Sequence, residues 1–448
     1  MGMLITNIKL FDGTSDNLIE DSSIWVEDNL IRYAGPSKKL RDVPDNIQTI
    51  DGNGLFIMPG MVEAHAHISY SNSGPLELDK APVEESMIKT IANARLMLGS
   101  GFTSAISFGS VHKIDVFLKE AIERGEIPGP RLLAGSKDIS ATGGNSDFYP
   151  DNVQIVPEGL GMIRNGPWEL RTAVRQLWKN GAEIVKVMID GEIISLQGRP
   201  GDLGFTDEEV EVIVDEAHRK KMRVACHARS SEAVKQAVRA GIDFIGHANY
   251  IDDEALDLLI KNKDKVFVGP AIAWEITFLE NYKNMGFDEN SKEVIAYRKE
   301  LEETIISYKK MQAAGIRILV GGDYGLNITP HGTYAKDLEY YVTHFGFTNA
   351  EAIHSATRLG GLAMHPDGSL GTLEEGKLAD LVVIDGNPLE DITVLQDHDR
   401  IVSVMKDGKF YKDLLNNDIP YEISDDQLSL ALQPSSKSRR KNVRVVKN

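Results

Sequence analysis

The stretch Ile57-Met-Pro-Gly-Met-Val-Glu-Ala-His-Ala-His67 places an apolar run directly before two histidines. Such a run is typical of a buried β-strand, and we expect one strand from Ile57 to His67. Side chains two positions apart on a strand point to the same side. His65 and His67 are therefore predicted to face one point at the carboxyl end of this strand.

The same unit, a short apolar strand followed by a helical pattern, recurs along the middle of the chain. Further strands are predicted at 103–108, 131–135, 184–188, 223–227, 244–247, 266–269 and 317–321. Helices are predicted at 83–98, 168–179, 207–220, 231–240, 253–260 and 294–314. Eight alternating strands indicate an α/β protein with a parallel sheet, and eight is the number that closes a (β/α)8 TIM barrel.

Both ends of the chain show a different sequence pattern, in which short β-rich runs alternate with turns. We therefore predict a small β-sandwich domain formed by the N-terminal segment 1–57 and the C-terminal segment 368–415. The barrel is predicted at 58–367, between these two segments. Residues 416–448 form a predicted extension, whose tail has six basic and no acidic residues from Lys437 to Lys447. We expect this tail to be solvated or to pack on another subunit.

Composition and charge argue against several classes of protein. The 49 basic and 67 acidic residues give a net charge of −18, which repels the phosphates of nucleic acids. Apolar runs such as Ile316–Val320 are far shorter than the roughly 20 residues of a membrane span, and the N-terminus lacks the pattern of a signal peptide. A single cysteine cannot form an internal disulfide, so a cytoplasmic location is expected.

Side chains that bind metals collect at the ends of predicted strands one, four, five, six and eight. They are His65, His67, Lys186, His227, His247 and Asp323. Each has an ordinary alternative, since a histidine can be a packed core residue, a lysine can extend to the strand end and an aspartate can form a turn. Active sites of (β/α)8 barrels lie at the carboxyl ends of the strands. The combination therefore predicts a metal site there.

The first-strand stretch resembles the corresponding signature of the amidohydrolase superfamily. Gly371-Thr-Leu-Glu-Glu-Gly-Lys-Leu-Ala-Asp-Leu-Val-Val-Ile-Asp385 resembles the return of that family into its small β-sandwich. Within the family, the chain is most similar to the imidazolonepropionase-like and prolidase-like (Xaa-Pro dipeptidase-like) branch. The cues are Lys186 on strand four, Gly241-Ile-Asp-Phe-Ile-Gly-His247, and Gly322-Asp-Tyr-Gly with Pro330-His-Gly332.

This resemblance implies a binuclear metal centre, with zinc most suitable and manganese, cobalt or iron possible. His65, His67 and Asp323 would bind one ion and His227 and His247 the other, while Lys186, carboxylated by carbon dioxide, would bridge both. It further implies that a hydroxide between the ions attacks an amide carbonyl while Asp323 carries a proton to the leaving amine. Members of the family are often oligomers, so a homo-oligomer is expected.

Three residues that follow the ligand strands are predicted to bind a small-molecule substrate: Arg229, Tyr250 and His331. A guanidinium with a phenol and an imidazole nearby suits a carboxylate. We therefore expect an amide substrate with a carboxylate near the scissile bond, among dipeptides, N-acyl amino acids, cyclic amides and xenobiotics. The alternative is that Arg229 pairs with an acidic neighbour such as Glu232 or Asp253.

Two other functions remain open at the level of sequence. A one-metal deaminase of a ring amidine uses the same fold, but such enzymes lack the strand-four lysine. Many of them carry a glutamate at the position of Ser230, three residues after the strand-five histidine. A non-catalytic assembly protein would be expected to have lost ligands, whereas all six candidates are present. Metal content per chain would distinguish these functions, at near two, one or zero ions.

Overall fold

The computed structural model describes residues 2–153, 158–195 and 197–413. The predicted extension 416–448 and its basic tail lie outside these residues. Strands within the described ranges are β1 (Gly2–Leu10), β2 (Ile19–Glu27), β3 (Leu30–Pro36), β4 (Gln48–Asp51), β5 (Phe56–Pro59), β6 (Met61–Ala66), β7 (Phe102–Ser107), β8 (Arg131–Leu133), β9 (Asp138–Ser140), β10 (Gly161–Ile163), β11 (Ile184–Met188), β12 (Arg223–Ala228), β13 (Phe244–His247), β14 (Phe267–Gly269), β15 (Leu381–Ile384), β16 (Ile401–Lys406) and β17 (Lys409–Asp413).

Helices occupy most of the connections between the central strands. They are α1 (Pro75–Lys80), α2 (Val83–Gly99), α3 (Ile114–Glu123), α4 (Gly166–Lys179), α5 (Asp207–Arg219), α6 (Ser231–Ala240), α7 (Asp253–Lys261), α8 (Ile272–Asn281), α9 (Lys292–Ala313), α10 (Lys336–Tyr340), α11 (Asn349–His354) and α12 (Gly360–Met364). Within the described ranges, every helix is too short or too polar to cross a membrane.

Strands from both ends of the chain pair in one eight-stranded sheet. Its order is β17-β16-β15-β5-β1-β2-β3, with β4 beside β1. The two ends meet where β5 and β15 run antiparallel, with Ile57 opposite Val383. Ile5, Ile24 and Ile57 lie in a separate apolar cluster of this sheet. The sheet therefore has its own core, in which alternate side chains of the paired strands contact one another.

The single strand predicted from Ile57 to His67 is wrong, because the chain forms two strands there. Gly60 separates β5, which belongs to the terminal sheet, from β6, which pairs with β7. The Gly60 N–H donates to the carbonyl of Asp380 at 3.0 Å, while the Met61 N–H donates to Gly101 at 3.0 Å. A Cβ atom at Gly60 would lie 2.3 Å from Thr103 Oγ1, so the crossing requires glycine.

The central strands form two parallel sheets. One has the order β6-β7-β8 and the other β10-β9-β11-β12-β13-β14. Hydrogen bonds also connect them: the Glu183 N–H donates to the Ala134 carbonyl at 2.8 Å, next to β8. Among the residues described, the predicted eighth strand forms no continuous ladder. Leu319 N–H nevertheless donates to Val268 (2.8 Å), and Ala64 N–H donates to Val320 (3.0 Å). The carboxyl ends of these parallel strands therefore lie on the same side of the sheets.

Helix α6 shows why the connections fold as they do. Ser230 caps its start by accepting the Ala233 N–H at 3.2 Å, and Gly241 ends it in a left-handed conformation at φ 86°. Val234 and Val238, four residues apart, are buried on one face against the strands. The same pattern of an apolar face and a glycine stop brings the chain back to the next parallel strand, β13.

Candidate metal centre

The carboxyl end of β6 presents two histidines, His65 within the strand and His67 directly after it, to a carboxylate that follows the predicted eighth strand. His67 Nε2 lies 2.9 Å from Asp323 Oδ1, and His65 Nε2 lies 3.6 Å from the same oxygen. One ligand atom from each of the three residues lies within 4.8 Å of the others. The strand alternation predicted from the sequence thus places both imidazoles at one point.

Glycines allow Asp323 to approach this closely. A Cβ atom at Gly321 would lie 2.5 Å from the His65 backbone nitrogen. Asp323 itself has a φ of 59°, an uncommon backbone conformation held by a 2.6 Å hydrogen bond from Thr329 Oγ1 to its carbonyl. Burial opposes ionisation of the carboxyl, but His65 and His67 outweigh it and the pKa of Asp323 falls below its usual value. The group is therefore a carboxylate.

Two further histidines lie at the ends of neighbouring strands. The rings of His227 on β12 and His247 on β13 are 4.3 Å apart between centroids, and His247 lies 5.2 Å from the His65 ring. Burial lowers the pKa of His227 and of His247 well below the usual value, so both imidazoles are neutral near pH 7. Neutral imidazoles have a free lone pair, which is what a metal ion requires.

Lys186 points into the same region from the middle of β11. Its side chain is buried, and its Nζ lies 4.4 Å from the centroid of the Phe108 ring. It makes no ion pair or hydrogen bond within ranges 2–153, 158–195 and 197–413. Burial lowers the pKa of Lys186, with Asp138 and Asp323 acting in the opposite direction. A buried ammonium group without an ion pair is costly, which favours the uncharged amine at this position.

Neighbouring groups orient the ligands. Nδ1 of His67 lies 3.1 Å from the carbonyl of Gly109. Because a carbonyl only accepts, Nδ1 carries the hydrogen and Nε2 is left as the ligand atom. The Tyr308 hydroxyl donates to the His247 carbonyl at 2.7 Å and fixes the end of β13.

Sequence reasoning missed two residues of this centre. Tyr70 stacks on His67, with ring centroids 4.3 Å apart and planes at 16°. Asp138 on β9 is buried, its Oδ1 has no hydrogen-bond partner in the described chain, and burial raises its pKa to about 7. Asp138 had little signal, because it lies in the mostly polar stretch Gly135-Ser-Lys-Asp-Ile-Ser140, directly after the predicted strand 131–135. The sequence gives no signal for Tyr70, because its stacking on His67 depends on the conformation of the loop after β6.

Arg229 is fully buried and paired with acidic side chains. Its guanidinium contacts Glu192, and it lies 3.0 Å from both Glu275 and Glu300. The alternative of an ion pair thus agrees with these contacts, although the partners differ from the predicted Glu232 and Asp253. A role of Arg229 in substrate binding stays a prediction.

The other two predicted substrate residues lie in different surroundings. Tyr250 is partly buried and borders an open cavity of about 470 Å³ together with Arg199 and Lys299. His331 is fully buried, and both ring nitrogens contact protein atoms, from Tyr334 and Tyr70. Burial lowers the pKa of His331 to about 4, so the ring is neutral. A direct role in substrate binding would require His331 to give up one of these contacts.

A second cavity of about 550 Å³ lies over the ends of β9 and β11. Met188 at the end of β11 lines it, as does Gly191, whose carbonyl lies 3.2 Å from His227 Nε2. Its volume is within the range of small-molecule sites. The loops after β9 and β11 thus place a cavity of suitable size next to a candidate ligand.

The donor set fits a metal centre. Both ring nitrogens of His247 are buried without a hydrogen-bond partner in the described residues. Buried polar atoms are normally satisfied, so these orphaned nitrogens indicate a missing partner. Imidazole nitrogens with a carboxylate oxygen suit zinc and related divalent ions. The residues that would hold such ions are therefore present.

Comparison with known proteins supports this interpretation. The model of the amidohydrolase family matches residues 56–411. The ochratoxinase of Aspergillus niger is 28% identical over 425 residues, which cover 88% of this chain and 83% of that protein. An imidazolonepropionase of Rhizobium rhizogenes is 21% identical over 385 residues, covering 82% of this chain and 87% of that protein.

A solved structure is similar over almost the whole chain. It is a Xaa-Pro dipeptidase with methionine bound in its active site, at 31% identity and a TM-score of 0.81. The match covers 92% of this chain and 100% of that protein. The resemblance found in the sequence is thereby confirmed, and the mixed α/β fold is that of the matched structure. The chain belongs to the amidohydrolase family.

Proposed function

We propose that the protein is a binuclear metal hydrolase that cleaves an amide-type C–N bond. The observation that carries this proposal is the convergence of four histidines, Asp323 and Lys186 at the carboxyl ends of the parallel strands. Lys186 is buried and has no ion pair or hydrogen bond within the described part of the chain. The names of the relatives, an ochratoxinase, an imidazolonepropionase and a Xaa-Pro dipeptidase, agree with hydrolysis of such bonds.

The architecture we propose is a (β/α)8 barrel at 58–367, flanked by a β-sandwich domain from 1–57 and 368–415. Hydrogen bonds from Arg317–Val320 to both β14 and β6 support closure, because they join the last predicted strand to the first. The single terminal sheet supports a second domain formed by both ends. The described strands β5 and β6 suggest that the boundary falls at Gly60.

Lys186 would bridge the two ion positions as a carbamate. Its uncharged amine would add to carbon dioxide and release one proton, which would replace a neutral amine with an anionic carbamate oxygen. The lowered pKa of Lys186 supports this step, since only the uncharged amine reacts. His65, His67 and Asp323 would hold one ion, and His227 and His247 the other.

Divalent ions at these positions would supply an activated water and polarise the scissile carbonyl. The chain provides the proton transfer: Asp323 Oδ1 accepts the proton of the water and later donates it to the leaving nitrogen. The carbonyl of Gly109 keeps His67 in the tautomer that leaves Nε2 free.

The one-metal deaminase is the second candidate, and Lys186 argues against it. A buried lysine amine among the ligand residues can become the carbamate that bridges two metal ions. A site with a single metal ion needs no such bridge. Ser230, at the position where many deaminases have a glutamate, instead caps helix α6. We propose a small-molecule amide as substrate, with dipeptides and N-acyl amino acids first among the candidates.

The test is a hydrolysis screen of the zinc-loaded protein against dipeptides, N-acyl amino acids, cyclic amides and ring amidines. Release of free amines from the amides supports the proposal. Release of ammonia from ring amidines alone would instead establish the deaminase. An Asp323→Asn variant provides the control, because it should abolish the signal whichever amide is cleaved.

A further inference from the structure

The loop after the eighth strand contains a histidine with two partners. His331 Nε2 lies 3.0 Å from the carbonyl of Tyr70, and its Nδ1 lies 2.9 Å from the hydroxyl of Tyr334. The carbonyl can only accept, so Nε2 carries the hydrogen and Nδ1 accepts from Tyr334. The ring is therefore held in one tautomer and one orientation between two segments of the chain.

The first of these segments bears the ligand His67. Tyr70 donates its backbone N–H to the His67 carbonyl at 2.9 Å, and its ring stacks on the His67 imidazole. Asn93 Nδ2 gives the Tyr70 carbonyl a second donor, at 2.8 Å. The position of Tyr70, and through it the face of the His67 ring, depends on these two donors.

The second segment bears the ligand Asp323. The Asn72 N–H donates to Gly325 at 2.8 Å, and Asn72 Oδ1 accepts the backbone N–H of His331 at 2.9 Å. Thr329, two residues before His331, donates its hydroxyl to the Asp323 carbonyl. The segments after β6 and after strand eight are thus joined at several points, with the His331 ring in the middle.

Space around this ring is closely filled. A Cβ atom at Gly325 would lie 2.9 Å from His331 Nε2, 2.8 Å from Tyr70 Cβ and 2.8 Å from the His67 carbonyl. Gly325 has a φ of 128°, a conformation that other residues rarely adopt. The backbone at Gly325 therefore packs directly against the ring, which fills the space between the two ligand-bearing segments.

We propose that His331 is a positioning residue of the metal centre, which sets the geometry of His67 and Asp323 by joining the segments that carry them. The inference rests on the proposed metal centre. Groups that orient metal ligands from outside typically change metal affinity by 10–100-fold. His331 would therefore act through Tyr70 and Asp323, without contact to the substrate.

The experiment measures binding of cobalt(II) to the metal-free protein, by competition with a chromophoric chelator and by the visible absorption of the bound ion. His331→Leu removes both ring hydrogen bonds, whereas His331→Gln retains a donor and an acceptor. Tyr334→Phe deletes only the hydroxyl on Nδ1. His344→Leu is the matched control, since that half-buried histidine contacts only Tyr340 among the described rings.

We expect His331→Leu to weaken cobalt binding by about 10–100-fold and to alter the absorption bands. His331→Gln should lie closer to the wild type, and His344→Leu should match it. Wild-type affinity and bands in both His331→Leu and Tyr334→Phe would overturn the inference. If circular dichroism shows that His331→Leu does not fold, the cobalt affinity and absorption bands of Tyr334→Phe and His331→Gln test the inference instead. A wild-type protein that binds no cobalt would refute the proposed function itself.

Discussion

Lys186 is the residue on which the proposed chemistry depends most. Lys186→Ala removes the amine that would become the bridging carbamate. We expect the variant to lose one of two bound ions and most hydrolytic activity, with partial recovery when short-chain carboxylic acids are added as a replacement bridge. Metal analysis and rate measurements with and without such acids check this. Lys309→Ala, on the exposed face of α9, is the control. Full metal content and full activity in Lys186→Ala would rule out the bridge.

Arg229 has two possible roles, in the stability of the fold and in substrate binding, and each needs its own measurement. Arg229→Met leaves Glu192, Glu275 and Glu300 without their cation in a buried site, so the free energy of unfolding should fall by about 3–5 kcal/mol. Urea denaturation measures this, with the half-exposed Arg298→Met as the control. Substrate binding by Arg229 would show separately, as lost discrimination in kcat/KM between a carboxylate substrate and its neutral amide. An unchanged unfolding free energy would contradict the structural role.

At the scale of elements, regular periodicity was predictable and loop geometry was not. Strands β11 and β13 and helix α6 have the predicted limits, because apolar period and turn residues are local signals. The alternation rule also paired His65 with His67. It does not predict the partners of Arg229, whose guanidinium lies beside Glu275 of α8 and Glu300 of α9, two helices distant in sequence.

Contacts between distant segments account for the other differences from prediction. Tyr70 and His331 meet across 261 positions of the chain, and no local pattern reports such a contact. The division of the first predicted strand at Gly60 likewise depends on Thr103 and Asp380. The sequence pattern therefore identifies the candidate metal ligands, while the groups that orient them become visible only in three dimensions.

A glycine between elements provides a prediction at this scale. Gly321 lies against β6, and a methyl group there would come within 2.5 Å of the His65 backbone nitrogen. Gly321→Ala should displace β6 or the Asp323 loop, with a loss of about 1–3 kcal/mol in unfolding free energy and weaker metal binding. Gly74→Ala is the matched control, since no atom of the residues that the structure describes lies within 4 Å of its added methyl group. Equal stability and metal affinity of the two variants would contradict the close packing.

For the molecule as a whole, Arg131 connects the parallel strands to the terminal sheet. It begins β8 and pairs with Asp380 at 2.9 Å and Asp407 at 2.6 Å. Arg131→Met leaves the buried Asp380 without a cation, so we expect a loss of about 3 kcal/mol in unfolding free energy. Thermal or urea unfolding measures this loss of unfolding free energy. The control is Arg239→Met, which breaks the exposed ion pair between Arg239 and Glu254. No loss beyond that of the control would contradict a structural connection.

The same ion pair has a pH dependence. Burial opposes ionisation of Asp407, but Arg131 and Lys406 outweigh it and hold its pKa below the usual 3.8. A lowered pKa in the folded state contributes stability above pH 3.8, which is lost as the pH falls further. The difference between wild type and Arg131→Met should therefore narrow below pH 3.8. A constant difference across that range would show that Asp407 does not contribute.

The measurement that tests the central claim most directly is the number of divalent ions per chain. It is obtained by elemental analysis of protein purified without chelators and then loaded with zinc at neutral pH in the presence of bicarbonate. A binuclear centre built from the four histidines, Lys186 and Asp323 predicts two ions per chain. One ion per chain would favour the deaminase, and a value near zero would contradict a metal hydrolase.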